Sequence, residues 1–243
     1  MDALAGALFF LIALLYASVG HAGASGYLAV MALLGFAPQM MRATALVLNV
    51  LVAGVVVWRM ARAGAMPWRQ ALLFLPASAP LAWLGGRMAL SPDLFRTIVG
   101  LFLLYAAGYL FWRMRGGAFD RDFMHLPRWL PVGLGAVLGF VAGATGIGGG
   151  ILLSPILMMG GFAGARHTAA ISALFILVNS AAGLAAVPEL RTHVAPAVGW
   201  YAAAVLAGGV IGGELAARGL KSRAIAALLV VVLVIAAAKF LLT

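Results

Sequence analysis

The stretch GATGIGGGIL, from Gly143 to Leu152, carries five glycines in the middle of an apolar run. That run extends from Trp129 to Ala165, and its 37 residues include no Asp, Glu, Lys or Arg. A run of this kind is typical of a membrane-embedded segment, where lipid cannot satisfy the backbone N–H and C=O groups that a glycine-rich break leaves unpaired. The stretch therefore predicts a broken helix whose irregular backbone lines a cavity or packs inside the protein.

The composition of the chain is that of a membrane protein. Of the 243 residues, 65% are hydrophobic and 9% are charged, and the mean hydropathy is +1.12, which is far from the mix of a soluble domain. The apolar runs lack the alternating segments of a β-barrel, and their lengths suit single helical spans or paired half-helices. We therefore predict an all-α integral membrane protein, with the lipid bilayer of a bacterial plasma (inner) membrane as its surroundings.

The charged residues and cysteines exclude several functional classes. The formal net charge is +10, but the 16 Lys and Arg residues are scattered among the boundaries between apolar runs, as topology signals are, so nucleic-acid binding is not predicted. The absence of cysteine excludes disulfides and thiol chemistry, and the dispersed histidines predict no metal site or cofactor. The N-terminus carries Asp2 instead of the basic region of a signal peptide, so we expect a retained first segment.

An internal duplication extends over the whole chain. Glycines at 143, 146 and 149 repeat the spacing of glycines at 20, 23 and 26, an offset of 123 residues. The double glycines at 85–86 and 212–213 also match, and close helix packing is their expected role. The polar segment 113–128 connects the two copies. We predict a first repeat over 1–112, a linker over 113–128 and a second repeat over 129–243, which together form one transmembrane domain.

The distribution of Lys and Arg favours inverted halves. If each glycine-rich region enters and leaves on one side, 11 of the 16 basic residues share a side, whereas a single crossing gives a 9 to 7 split. Cytoplasmic loops gather positive charge, so the first arrangement is preferred. If each glycine-rich region instead crosses the membrane twice, the basic residues divide in the same way, so this alternative is not excluded. The predicted fold has two inverted repeats, each with a glycine-broken re-entrant helix pair plus three transmembrane helices.

Two broken helices from opposite sides predict a substrate site near the bilayer midplane. The helix that begins after each break presents unpaired N–H groups and the positive end of its dipole, which favours an anion. Close helix packing by glycine is the alternative, although packing needs no matched break in both copies. The predicted substrate-binding residues are Gly20, His21, Gly23, Ser25, Gly26, Arg42, Asn49, Thr145, Gly146, Gly148, Gly149, Gly150, Ser154, Arg166 and Asn179.

The polar members of this set each have two interpretations. His21, inside the first apolar run, either contacts the anion or carries a proton, or else it bonds a backbone carbonyl. The hydroxyls of Ser25, Thr145 and Ser154 either donate to an oxyanion or bond their own helices. The two asparagines either line the cavity or join helices. The two arginines either attract anions at two mouths of one pathway or anchor helices at the interface.

The second copy resembles the TauE/SafE sulfite-exporter family of membrane transporters. The resemblance rests on GATGIGGGILLSPILMMGG at 143–161 and ARHTAAISALF at 165–175, and the two-copy layout extends it over the chain. It implies transport of a small, often sulfur-containing anion such as sulfite or an organosulfonate. The first copy, GHAGASG at 20–26, differs because Ala24 and Ser25 replace two glycines. The break residues implied by the resemblance are Gly146, Gly148, Gly149, Gly150 and Pro155.

These observations predict a transporter, not an enzyme, that moves a small oxyanion by alternating access. A coupling proton or sodium ion and a homo-oligomeric state stay open. A passive anion channel is the main alternative. GASG at 23–26 also matches the nucleophile motif of rhomboid-type intramembrane serine proteases, with Ser25 as the nucleophile and a histidine as the base. The second copy has glycine at the position of Ser25, which argues against that alternative.

Overall fold

The fold is all-helical over the part of the chain that the computed structural model describes, residues 2–18, 23–88, 90–115, 127, 129–160, 162–188, 193–217 and 223–242. Most of the predicted linker therefore lies outside the described residues. The helices are α1 (Asp2–Ser18), α2 (Ala24–Leu33), α3 (Pro38–Arg62), α4 (Trp68–Leu72), α5 (Leu75–Arg87), α6 (Pro92–Met114), α7 (Trp129–Thr145), α8 (Gly150–Met159), α9 (Ala165–Ala185), α10 (Val198–Ala217) and α11 (Arg223–Leu242).

The apolar character of these helices fits a membrane protein. Within the described residues, three segments have the length and hydropathy to cross a bilayer alone: Pro38–Arg62, Pro92–Trp112 and Arg166–Ala185. The helices α2 and α8 have 10 residues each, a length of about 15 Å at 1.5 Å per residue. That is about half of the hydrocarbon core of a bilayer. Helix α2 is enclosed by protein, because every residue from Ala24 to Ala32 is buried.

Glycines let α7 pack directly against the backbone of α5. A Cβ atom added at Gly139 would overlap the backbone of Ser78, and one added at Gly143 would overlap the backbone of Ala82. In both helices the contacting positions advance together by four residues, so α5 and α7 run parallel. Close approach of backbones at small residues is a general means of helix association in membranes.

The same kind of contact joins α1 to α10. Gly208 lies against the backbone of Phe10, and Gly212 lies against the backbone of Leu14. These two helices are therefore also parallel. The first helix of each half thus packs along the corresponding late helix of the other half, α1 on α10 and α7 on α5.

The predicted packing role of the double glycines is confirmed. Gly85 lies against the backbone of Phe140 and Gly86 against that of Gly183, so neither position has room for a side chain. In the second pair, Gly212 meets α1 as described, and an added Cβ at Gly213 would come 2.5 Å from Nη1 of Arg59. Close contact with a neighbouring helix is therefore common to both pairs.

The central pair of helices, α3 and α9, runs in opposite directions. An added Cβ at Gly183 would lie 3.5 Å from Leu46, and one at Gly54 would lie 4.0 Å from Leu177. The contact positions therefore rise along α3 while they fall along α9. At these two positions leucine side chains, and not touching backbones, make the contact.

The glycine contact between α5 and α7 predicts a position-dependent loss of stability. Gly143→Val should lower the free energy of unfolding by about 1–3 kcal/mol or more, because the added atoms meet the backbone of Ala82. The matched control is Gly133→Val in the same helix, where nothing lies within 4 Å of an added Cβ and a change of about 0.5 kcal/mol or less is expected. Thermal unfolding of the two purified variants in detergent compares them, and equal losses would contradict the contact.

Candidate functional site

The second glycine-rich region is a true helix break. Helix α7 ends at Thr145 and α8 begins at Gly150. Between them, Gly146, Gly148 and Gly149 have φ angles of +79°, +75° and +72°. Side-chain-bearing residues avoid these left-handed angles, whereas glycine adopts them without a steric penalty. These three glycines therefore turn the chain, and Gly149 is the residue that caps the start of α8.

The first region is also broken, but in a different register from the predicted one. Helix α2 begins after Gly23, which has a φ of +89°. Gly26 lies inside α2 and packs against Ile12 and Tyr16. The two helix starts therefore pair Gly23 with Gly149, an offset of 126 residues, so the offset of 123 is wrong here. A three-residue shift is close to one helical turn, and spacing alone does not identify the glycine with the left-handed angle.

Two predicted members of the first break, Gly20 and His21, lie outside the described residues. Helix α1 ends at Ser18, before this segment. The predicted roles of Gly20 and His21 in substrate contact remain predictions.

Each short helix begins without a side-chain cap. At the second break, the N–H groups of Leu152 and Leu153 both donate to the carbonyl oxygen of Gly149, at 3.1 Å each. The N–H groups of Gly150 and Ile151 precede this first turn and have no acceptor within the helix. At the first break, the N–H of Tyr27 donates to the carbonyl oxygen of Gly23 at 3.0 Å. Both starts thus carry the positive end of a helix dipole into the protein interior.

The two breaks face the same small cavity. Its volume is about 10 Å³, which is close to the minimum for one water molecule. A polyatomic anion therefore does not fit in this conformation. The lining residues come from the end of α1, the first break and α2, the second break and α8, and α9: Tyr16, Gly23, Ala24, Ser25, Ile147, Ile151 and Ile176.

Asn49 ties the second break to the centre of α3. Its side-chain nitrogen donates to the carbonyl oxygen of Gly146 at 3.0 Å, and the whole side chain is buried. Gly146 also lies against the backbone of Arg42 on the same helix. The predicted asparagine thus does join two elements, and it satisfies a backbone carbonyl at a point where the helical bonding stops.

Several buried polar atoms of α3 and α9 have no hydrogen-bond partner among the described residues. They include Oδ1 of Asn49, Oγ of Ser180 and both polar side-chain atoms of Asn179. An added Cβ at Gly148 would lie 3.2 Å from Nδ2 of Asn49 and 3.2 Å from Oγ of Ser180, so these two side chains meet at the second break. A buried polar atom without a partner is costly, and these atoms can supply donors and acceptors to a ligand.

The predicted hydroxyls are satisfied locally. Thr145 donates to the carbonyl oxygen of Val141 at 2.7 Å. Ser154 bonds the carbonyl oxygen of Gly150 at 2.9 Å and the hydroxyl of Ser172 at 2.8 Å. These two side chains therefore lie at or near the second break, and each hydroxyl bonds a backbone carbonyl of its own helix.

Ser25 lies in the central cavity and bonds a phenol. The distance between its hydroxyl and that of Tyr16 is 2.7 Å, and both residues are buried. Of the described histidines, His193 lines a second cavity and His167 lies in the first turn of α9. His21 lies outside the described residues. The described contacts of Ser25 therefore include no catalytic base, in contrast to what the protease alternative requires.

The two arginines differ in their surroundings. Arg42 is half-buried in the first turns of α3, where Nη1 donates to the carbonyl oxygen of Met88 and Nη2 to that of Gly86, at 2.8 Å each. Arg166 is exposed at the start of α9. Both lie within the first turns of their helices. Arg42, but not Arg166, lines a cavity of about 190 Å³ at one end of the helices.

The sequence did not predict Tyr16 in the central cavity or Ser180 at the second break, nor Gln39 and Arg87 in the lining of the larger cavity. Ser180 directly follows Asn179 in an apolar span, so a pair of adjacent polar residues was a usable signal. The other three carry no such signal, because tyrosines, glutamines and arginines near helix ends are common interfacial residues.

The family model for the sulfite exporter TauE/SafE matches residues 5–240. The chain belongs to the TauE/SafE family. It is also 35% identical over 239 residues to a protein named "Probable membrane transporter protein y4hK" from Sinorhizobium fredii (strain NBRC 101917 / NGR234), a match that covers 96% of this chain and 95% of the relative. The solved structures contain no significant match to this fold.

Family membership confirms the resemblance drawn from the second glycine-rich region. The TauE/SafE proteins are membrane transporters, not enzymes, so the chain is an integral membrane protein with a transport role. Membership of a transporter family therefore argues against the protease alternative, in addition to the surroundings of Ser25.

The bond from Asn49 predicts a difference between two asparagine variants. Asn49→Ala should lower the free energy of unfolding by about 1–3 kcal/mol more than Asn179→Ala, because only the first leaves a bonded carbonyl unpaired. Both changes remove the same atoms from buried positions, so each is the control for the other. Hydrogen exchange of residues 146–150 should also rise only in Asn49→Ala. Equal stability and equal exchange in the two variants would contradict the role of Asn49.

Proposed function

We propose that this protein transports a small sulfur-containing oxyanion, such as sulfite or an organosulfonate, by alternating access with the anion held between the two helix breaks. The observation that carries the proposal is the shared cavity at the starts of α2 and α8. Gly23, Ala24 and Ser25 line it from one break, and Ile147 and Ile151 from the other. Two positive helix ends at one point favour a negative guest.

The buried polar atoms support an anionic ligand. Asn179 offers an amide nitrogen and Ser180 a hydroxyl, both without partners among the described residues. These groups and the first N–H groups of α8 are donors, and an oxyanion has several acceptor oxygens for them. A bound anion would replace unsatisfied polar atoms with charge-assisted hydrogen bonds, which are the stronger kind.

The small volume of the central cavity supports a mechanism with moving helices. An anion with several oxygens needs far more space than about 10 Å³. The site must therefore open for binding, and an opening that alternates between the two sides gives transport without a continuous pore. A passive channel instead needs a continuous pathway through this point.

Inverted, re-entrant halves are the proposed architecture for this mechanism. The antiparallel contact of α3 and α9 supports an axis in the membrane plane, because an axis along the membrane normal would make such a pair parallel. The 10-residue lengths of α2 and α8 support half-helices that return to their own side instead of full crossings. The domain bounds 1–112, 113–128 and 129–243 are part of this proposal.

The proposed transporter also has a proposed membrane, coupling ion and oligomeric state. The bacterial inner membrane suits the 11 to 5 division of basic residues across two sides. A proton or sodium ion is the proposed coupling ion, and His21 is the proposed proton carrier if protons are used. A homo-oligomer is compatible with the exposed apolar surfaces of the helices.

Counterflow in proteoliposomes tests the proposed function. Vesicles loaded with unlabelled sulfite should take up labelled sulfite transiently above equilibrium, because an alternating site exchanges one anion for another. Asn179→Ala should slow this exchange by about tenfold, as expected for loss of about 1.4 kcal/mol of hydrogen bonding to the anion. His21→Ala and Gly149→Leu should also impair it while leaving folded protein in the membrane.

The control for these variants is Gly199→Ala, since nothing lies within 4 Å of an added Cβ at that position. It should exchange at the wild-type rate. Uptake that is never stimulated by internal anion would indicate a passive channel. Wild-type exchange in all three site variants would remove the proposed site. Exchange of carboxylates but not of sulfite, sulfate, thiosulfate or sulfoacetate would contradict the proposed substrate class.

A further inference from the structure

The larger of the two cavities lies beside the second helix break, because its lining includes Ala144 of α7 and Arg42, whose backbone lies against Gly146. Its volume is about 190 Å³, which is enough for a small polyatomic ion with some water. Its described walls come from the starts of α3 and α6, the ends of α5 and α7, and residues 187, 188 and 193 after α9. The polar side chains in the lining are Gln39, Arg42, Arg87 and His193, and the apolar ones include Met88 and Phe95.

We propose that this cavity, here called the basic vestibule, is a second oxyanion-binding site that takes a phosphate- or sulfonate-type group. Two arginines line it, and none of the lining residues that the structure describes is Asp or Glu. Two guanidinium groups that share one cavity repel each other unless a negative charge lies between them. The nearby acid Asp93 is paired instead with Arg96, at 3.8 Å.

Arg42 is fixed in position for this role. Its two hydrogen bonds to Gly86 and Met88 hold the guanidinium against the last carbonyls of α5, where the negative end of the helix dipole stabilises a cation. These two bonds use only part of the donors of the guanidinium group. A pre-positioned arginine loses less side-chain entropy on binding than a free one.

Arg87 supplies the second charge from the end of α5. Its side chain is exposed, and its guanidinium carbon lies 4.8 Å from the centre of the Trp83 ring. A stacked arginine keeps its edge N–H groups available, and these match the oxygens of phosphate or sulfonate groups. Arg87 forms none of the bonds that fix Arg42, so replacing its side chain leaves the partners of those bonds in place.

The basic vestibule belongs to one mouth of the molecule. Arg166, the repeat-related arginine by sequence, is exposed and does not line it. Ala144, in the last turn of α7, forms part of the wall, so the cavity extends to the helix that ends at the second break. The vestibule is separate from the central cavity, and its binding does not require the proposed transport to be correct.

An oxyanion in the vestibule has two physical sources, a free anion or the headgroup of an anionic lipid. Isothermal titration of purified protein in a non-ionic detergent with phosphate and with ethanesulfonate tests the first. Arg87→Gln should weaken binding by about tenfold, the loss expected for one charge-assisted contact, and Arg87→Lys should restore part of it. Arg96→Gln removes the same charge beside the vestibule but outside its lining, and should bind like the wild type.

Native mass spectrometry of protein from nanodiscs tests the second source. If phosphatidylglycerol co-purifies with the wild type and with Arg96→Gln but not with Arg87→Gln, the lipid headgroup is the ligand. The Gly149→Leu variant separates this site from the central one. If that variant still binds the free anion but transports nothing, the result supports the vestibule. Equal binding in Arg87→Gln and wild type, or neither free anion nor lipid bound by the wild type, would overturn the proposal.

Discussion

The structure depends on how backbone polar groups are satisfied where a membrane helix stops. Lipid offers no partner to an exposed N–H or C=O group, so each break must be bonded by the protein or by a ligand. At the second break the amide of Asn49 takes the carbonyl of Gly146, and the carbonyl of Gly149 takes two N–H groups from α8. The first N–H groups of α8 have no acceptor within their own helix. They are the donors that the proposed function assigns to the anion.

The two halves use the same construction with different side chains. Both short helices start from a glycine with a left-handed φ and both lack a side-chain cap. Yet Asn49 on α3 is bonded to a break through its amide nitrogen, whereas Asn179 on α9 has no bond among the described residues. The two halves therefore differ in how their buried asparagines are bonded among the described residues.

The sequence was sufficient for the helical class, the two breaks and the packing of the double glycines, because hydropathy and glycine spacing report directly on membrane burial and close approach. It was insufficient for the register of the first break. Gly23 has the left-handed φ and Gly26 lies inside α2, and nothing in the sequence distinguishes these two glycines. It was also insufficient for long-range bonds such as that of Arg42 to Gly86, which join residues 44 positions apart. Ser180 was missed because a hydroxyl in a helix usually bonds its own backbone, and here it does not.

The glycine contacts of α1 with α10 and of α5 with α7 have a mechanical consequence. Where backbones touch, no side chains lie between the two helices that could change rotamer and allow one helix to shift against the other. Each pair is therefore expected to move as a rigid unit. The leucine contacts between α3 and α9 form the softer surface, because side chains there can change rotamer. A displacement of one half against the other therefore meets the least resistance between α3 and α9 near Gly54 and Leu177, whereas Gly183 is held against the backbones of Gly86 and Gly143.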